Sequence, residues 1–204
     1  SIDKESEGNE MVENLNLYLG NRSECVYGIA KLVGCDIGYG EVKGFLNKEK
    51  VLIDYDDANL VFRILRGFDF ILYESSSFNF SKALIDGVGS ASSALLDSEY
   101  MFDCPSEVYS EIAKISDIED TVEKSVDIML LVLNRNMFGS DSLFVGLLML
   151  EQVLLNESSV LFIPNQSGLE FSASVFRSIL NQYKEGQCGK EELVKFVKEC
   201  IHSN

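Results

Sequence analysis

The sequence predicts an all-α fold, and three observations carry that prediction. Residues 134–156, NRNMFGSDSLFVGLLMLEQVLLN, hold an apolar run from Leu143 to Leu150 that resumes at Val153-Leu154-Leu155 after Glu151 and Gln152. The run lacks proline and exceeds strand length, so it reads as a helix. Being apolar almost all round, it reads as a central helix buried on every side. The segments before and after it repeat their apolar residues at helical spacing. Finally, Val51-Leu52-Ile53 is too short to stand as a strand. The 204 residues therefore read as one domain, 1–204, of amphipathic helices around one core helix. A bilayer crossing needs about 20 apolar residues, so the run is too short to span a membrane.

Taken in order, residues 1–9 are polar and read as frayed. Met11, Leu15 and Tyr18 begin a helical face that Gly20 ends, so 1–22 reads as an N-terminal helical extension. Ser23 reads as the cap of the next helix, with Val26, Ile29, Ala30 and Val33 on its face and Gly34 as its stop. A short third helix spans Tyr39 to Leu46. Asp54, Asp56 and Asp57 put negative charge where a helix N-terminus favours it. Val61, Ile64, Leu65, Phe68, Ile71 and Leu72 then follow at helical spacing. The Ser75-Ser76-Ser77 turn leads to a helix from Ser81 to Val88, loosened by Gly87 and Gly89.

Residues 94–103, ALLDSEYMFD, alternate weakly and read as a short β-hairpin or an extended flap. Asp103 before Pro105 marks a helix start, since proline is tolerated in a first turn. Val108, Ile112 and Ile115 give that helix its face. Ser116-Asp117-Ile118-Glu119 reads as a capping box. It opens a long helix with Ile118, Val122, Val126, Met129, Leu130, Leu133 and Met137 on one side. Asp141 and Ser142 read as caps of the central helix, with a remodelled ligand site as the alternative. Val160 to Pro164 is a short apolar crossing, and Ser167-Gly168-Leu169-Glu170 reads as a second capping box. Phe171, Val175, Ile179 and Tyr183 face inward up to Gly186, and a last helix runs from Glu191 to Ile201.

The net charge of −16 argues against partners that need basic patches, namely nucleic acid and anionic membrane surfaces. It also disfavours an exposed site for a polyanion such as ATP. The acid-rich stretch from Asp97 to Asp127 has only Lys114 and Lys124 as basic residues, and reads as a solvated face or a contact for a basic protein. The opening SIDKESEGNE is acidic and polar and does not read as a secretory signal. Five scattered cysteines, Cys25, Cys35, Cys104, Cys188 and Cys200, suit reduced thiols in a cytoplasmic compartment. With no Cys-x-x-Cys and His202 the only histidine, no zinc site is expected.

Residues 23–200 resemble a Fic (Fido) domain, the family whose active members transfer AMP from ATP to protein hydroxyls. Four stretches carry the resemblance. Tyr27-Gly28-Ile29-Ala30-Lys31-Leu32-Val33-Gly34, with Ile37-Gly38-Tyr39-Gly40-Glu41-Val42 after it, resembles the family's early Y-x-S-x-K-I-E-G…T-x-x-E-V segment. DYDDANLVFRILRGFDFIL is similar to the helix that follows. DTVEKSVDIMLLVLNRNMFGSDSLFVGLLMLEQVLL resembles the two core helices around the active-site loop, and SVLFIPNQSGLEFSASVFRSIL the apolar-Ile-Pro crossing and the next helix. The likeness lies in element order, spacing and apolar pattern.

The family's loop motif, His-Pro-Phe-x-x-Gly-Asn-Gly-Arg, falls on Arg135-Asn136-Met137-Phe138-Gly139-Ser140-Asp141-Ser142-Leu143. The resemblance implies a histidine base at 135, where arginine cannot accept a proton at neutral pH. It implies phosphate-cradling glycines at 140 and 142, where serines make such a nest costlier. The phosphate arginine would stand at 143, which is leucine, and the Mg²⁺ acid at 139, which is glycine. Asp141 puts negative charge where the phosphates would lie. Many family members also carry an inhibitory S/T-x-x-x-E-G/N, whose glutamate pairs with that arginine; its positions here are Ile29 and Val33, before Gly34. Both ends of that ion pair are apolar.

The expectation is therefore a catalytically degenerate Fic-like domain that works through a protein partner, with no cofactor, in the cytoplasm or in a host cytosol if it is a secreted effector. Homo-oligomerisation stays open. The alternative is an AMP or related transferase with a rewritten loop, using ATP and Mg²⁺ through Arg135, Ser140, Asp141 and Ser142. An unrelated helical domain is the third reading.

Overall fold

The computed structural model describes residues 2–93, 104–164 and 169–204, with side chains from residue 8 onward in those ranges except 169–171. The fold is all-α among them. The helices are α1 (Ile2–Gly20), α2 (Arg22–Leu32), α3 (Tyr39–Leu46), α4 (Tyr55–Tyr73), α5 (Lys82–Ala91), α6 (Ser106–Ser116), α7 (Thr121–Asn134), α8 (Ser142–Ser158), α9 (Leu169–Lys184) and α10 (Glu191–Glu199). Two short strands, β1 (Leu161–Phe162) and β2 (Ile201–His202), pair antiparallel with Leu161 opposite His202.

α8 is the central helix that its apolar run predicts, and every residue from Phe144 to Leu155 is buried. It divides the interior in two. Val145, Leu148 and Met149 join the core built with α1 to α6. Leu147, Leu150 and Leu154 join a second core with α9 and α10, where Phe176 sits between Phe162 and Phe196 at 6.4 and 5.7 Å between ring centroids. α7 packs along α8 at backbone contact. A Cβ on Gly146 would lie 3.0 Å from the Met129 carbonyl oxygen, so only glycine permits that approach.

Several expectations need correction. The backbone of α1 is helical from Ile2 rather than frayed to residue 9. Ser23 lies inside α2, whose N-cap is Asn21. The cap sits four residues later than expected: Asp120 is the N-cap of α7 and its carboxylate accepts from the Glu123 N–H at 2.9 Å, while the Glu123 carboxylate pairs with Lys190. Ser116 instead ends α6, leaving Ile118 in the connection. α7 stops at Asn134, short of Met137. The last helix stops at Glu199 because the chain turns to pair with β1, where the Ile163 N–H donates to the Cys200 carbonyl at 2.9 Å. The hairpin or flap expected at 94–103, the helix-start signal at Asp103 and the capping box opening at Ser167 lie outside the described residues.

Candidate functional site

The connection from α7 to α8 begins as a Schellman ending. Asn136 takes the left-handed conformation at φ 49°, its N–H donates to the Leu133 carbonyl, and the Met137 N–H donates to Val132. Asparagine tolerates that region through its short polar side chain. Gly139 turns left-handed again at φ 59°, opening a 3₁₀ turn, Gly139–Asp141, that runs into α8. Phe138 anchors this turn. It is buried against α5, where a Cβ on Gly89 would come 2.2 Å from the ring.

Ser142, Asn136 and Asp141 in the connection find partners within the chain. Ser142 Oγ accepts from the Phe138 N–H at 3.0 Å and lies 3.4 Å from Asn136 Oδ1. Asp141 does not cap α8 through its side chain. Its Oδ2 lies 2.8 Å from Nη2 of Arg63, on α4. Arg63 is buried, donates through Nε to the Ser92 carbonyl at 2.8 Å, and carries its guanidinium 4.8 Å from the Phe144 ring centroid. Arg66, one turn on, donates through Nη2 to the Ser93 carbonyl at 2.8 Å. The two arginines thus meet the carbonyls at the end of α5, where positive charge is favoured.

Arg135 reaches the other way. Its Nη2 and Nε meet the two carboxylate oxygens of Glu111 on α6, and this bidentate bond raises its pKa further above the ordinary arginine value. Ser140 is exposed and Leu143 is half-buried against the second core. Ile29 and Val33 pack into the interior, Ile29 fully buried. His202 sits on β2 with Nε2 3.2 Å from the Ile163 carbonyl, on the ribbon whose Phe162 reaches Glu151 in the middle of α8. The structure therefore gathers Asn136, Phe138, Asp141 and Ser142 in one closed turn and directs Arg135 outward to α6.

Sequence reasoning missed Arg63, Glu111 and Phe138 as parts of this assembly. A signal existed for Arg63, a charge set between Val61 and Ile64 on the inward side of an apolar face. Nothing in the sequence names its partner, 78 residues away.

The most deeply buried carboxyl among the described residues lies elsewhere. Glu151 on α8 is 1% exposed, and its Oε1 accepts from the Phe162 N–H at 2.7 Å. Burial pushes its pKa well above the carboxylate range, against that hydrogen bond. The buried Cys25 thiol is likewise pushed up, first by burial and then by Glu151. Among the described residues, no group of three or more His, Cys, Asp or Glu is placed to hold a metal. One cleft of about 440 Å³ lies between α1, the end of α4 and the end of α8, and one of about 470 Å³ lies between α7 and α10. Neither is lined by residues 135–143. No described helix is long and apolar enough to cross a membrane. Compared with known proteins, the chain matches no family model, no curated sequence and no solved structure.

Proposed function

We propose that this chain is a catalytically inert, Fic-like domain that acts through contacts with other proteins. The observation that supports it is the internal closure of the turn before α8. Arg135, at the position of the family base, is protonated at neutral pH and pairs with Glu111. Asp141 supplies the chain's own anion beside the N-terminus of α8, neutralised by Arg63. A triphosphate approaching that helix end would meet a carboxylate, at a place where the family would offer glycine N–H groups and an arginine. General-base catalysis is worth about 10²–10⁴ in rate. Losing the base, the phosphate arginine and the metal acid together leaves no route to useful AMP transfer.

The test is labelling and binding with ATP and Mg²⁺. The purified protein is expected to transfer no radiolabel to itself or to lysate proteins. Calorimetry is expected to show no ATP binding at concentrations up to about 1 mM, where a site would be worth about −4 kcal/mol. Labelling of a target that Ser140→Ala or Asp141→Ala abolishes would overturn the inert reading and establish the rewritten transferase.

A further inference from the structure

We infer that the cleft between α1, the end of α4 and the end of α8 binds a small organic cation, an alkylammonium ion. Its volume is about 440 Å³. Small-molecule sites usually enclose about 300–1,000 Å³ between apolar walls, with a few convergent polar groups. Met11 from α1, Ile71 and Leu72 from α4 and Leu155 from α8 supply the apolar wall. Ser75, also in the lining, is fixed in place: its hydroxyl donates to the Ile71 carbonyl at 2.7 Å and lies 3.4 Å from Gln152 Nε2.

Charge selects the occupant. Two helices, α4 and α8, bring their C-terminal ends to the cleft, and neither has a basic residue in its last turn. Each such end carries the equivalent of roughly half a negative charge and favours a cation. Lys124 reaches the last turn of α8 from α7, but it pairs with Glu157 and does not line the cleft. Among the described residues, no basic side chain lines it and Glu10 does. The third wall, α1, carries Asp3, Glu5, Glu7, Glu10 and Glu13 against Lys4. The net charge of −16 acts in the same direction.

Asn14 adds an independent sign that a donor is missing. Its Nδ2 donates to the Leu155 carbonyl at 3.2 Å, which fixes the amide's orientation and leaves Oδ1 buried without a hydrogen-bond partner. A buried acceptor in that state costs free energy until a donor reaches it. Oδ1 is closed to solvent as the cleft stands, so the half-buried side chain swings toward the opening when the ligand's N–H groups arrive. An alkylammonium ion lays its chain on the apolar wall and turns its charge to the helix ends. An inorganic cation would leave that wall uncovered, and an anion would be repelled from all three sides. This inference goes beyond the functional reading above and does not depend on the α7–α8 turn being inert.

The test is an NMR titration of the isotope-labelled full chain with n-hexylammonium chloride. The Asn14 side-chain amide and the backbone amides of Ser76 and Asn156, which also line the cleft, are expected to shift and saturate with a Kd on the order of 1 mM, as suits so small a ligand. The uncharged n-hexanol and the anion hexanoate should leave them unmoved. Ser76 is exposed, so its charge can be varied without touching the core. Ser76→Lys gives the cleft a cation of its own and should abolish binding. Ser76→Asp should tighten binding, and Glu10→Gln weaken it, each about two- to fivefold, as exposed charge pairs do. Glu41→Gln on α3 removes the same charge away from the cleft and should bind like wild type. No saturable shift up to about 20 mM would overturn the inference. So would n-hexanol binding as well as the amine, which would make the cleft merely apolar, or Ser76→Lys binding like wild type. Equal weakening by Glu10→Gln and Glu41→Gln would also overturn it, because the cation would then be drawn to the chain's charge at large. ATP labelling by Ser76→Lys would overturn the inert reading and leave this one standing.

Discussion

Glu151→Gln should make the protein more stable at neutral pH, and the gain should vanish toward acid. The carboxyl is sealed in the interior, with Oε1 2.7 Å from the Phe162 N–H and Oε2 buried without a partner. Burial raises its native pKa, so over a window above the unfolded value of about 4.3 the native chain keeps a proton that the unfolded chain has lost. The unfolded state then binds fewer protons, and stability falls as pH rises, by about 1.4 kcal/mol per pH unit. The contribution is whole below the unfolded pKa and is lost progressively up to the native one. Glutamine keeps an oxygen for the Phe162 N–H and carries no proton to lose. The stability gap between variant and wild type should therefore widen at about 1.4 kcal/mol per unit as pH rises through the window. Asp69 and Asp86, raised first by burial, and Asp120, lowered first by the Glu123 N–H, titrate in both proteins and cancel in the difference. Urea denaturation followed by circular dichroism from about pH 5 to 8 reads the gap, starting clear of the isoelectric point near 4.4, where solubility is least. A gap that stays constant with pH would refute the reasoning, because it would mean that the carboxyl ionises in the folded protein as freely as in the unfolded one.

Two further outcomes concern the frame. Leu148→Ala removes a fully buried side chain that also fills the space over Gly67, and should cost about 2–5 kcal/mol in chemical denaturation; less than about 1 kcal/mol would place it outside the core. Asp120→Ala should cost about 0.5–2 kcal/mol by removing the α7 cap, whereas Ser116→Ala should change stability by less than about 0.5 kcal/mol; the reverse order would return the helix start to Ser116.

What could be read from the sequence follows from how local each interaction is. α8 was legible because an all-round apolar run of helical length has few other destinations, and the bounds of α3 came out as Tyr39–Leu46 because Gly38 and Asn47 punctuate it. The start of α7 was misplaced because two capping patterns lie four residues apart, Ser116 to Glu119 and Asp120 to Glu123. The choice between them fell to Ser116 continuing α6, with the Asp117 N–H bonded back to Lys114. The C-terminal ribbon was invisible because its strands are two residues each and join segments 40 residues apart. The Asp141–Arg63 and Arg135–Glu111 pairs were invisible for the same reason, since each depends on how α4 and α6 pack beside the turn.

Those pairs also bear on what the turn before α8 can do. A site ready for a ligand leaves donors and charges waiting, and each buried group left without a partner costs about 1–3 kcal/mol until the ligand arrives. Here the Phe138 N–H has Ser142 and the Arg63 Nε has the Ser92 carbonyl, while the buried Arg63 Nη2 faces Asp141 at 2.8 Å as an ion pair without hydrogen-bond geometry. An anion entering beside the α8 N-terminus would have to break the Arg63–Asp141 contact and leave the carboxylate facing it. The Arg63–Asp141 ion pair thus both helps to fix this turn and places a carboxylate where an anion would approach the α8 N-terminus.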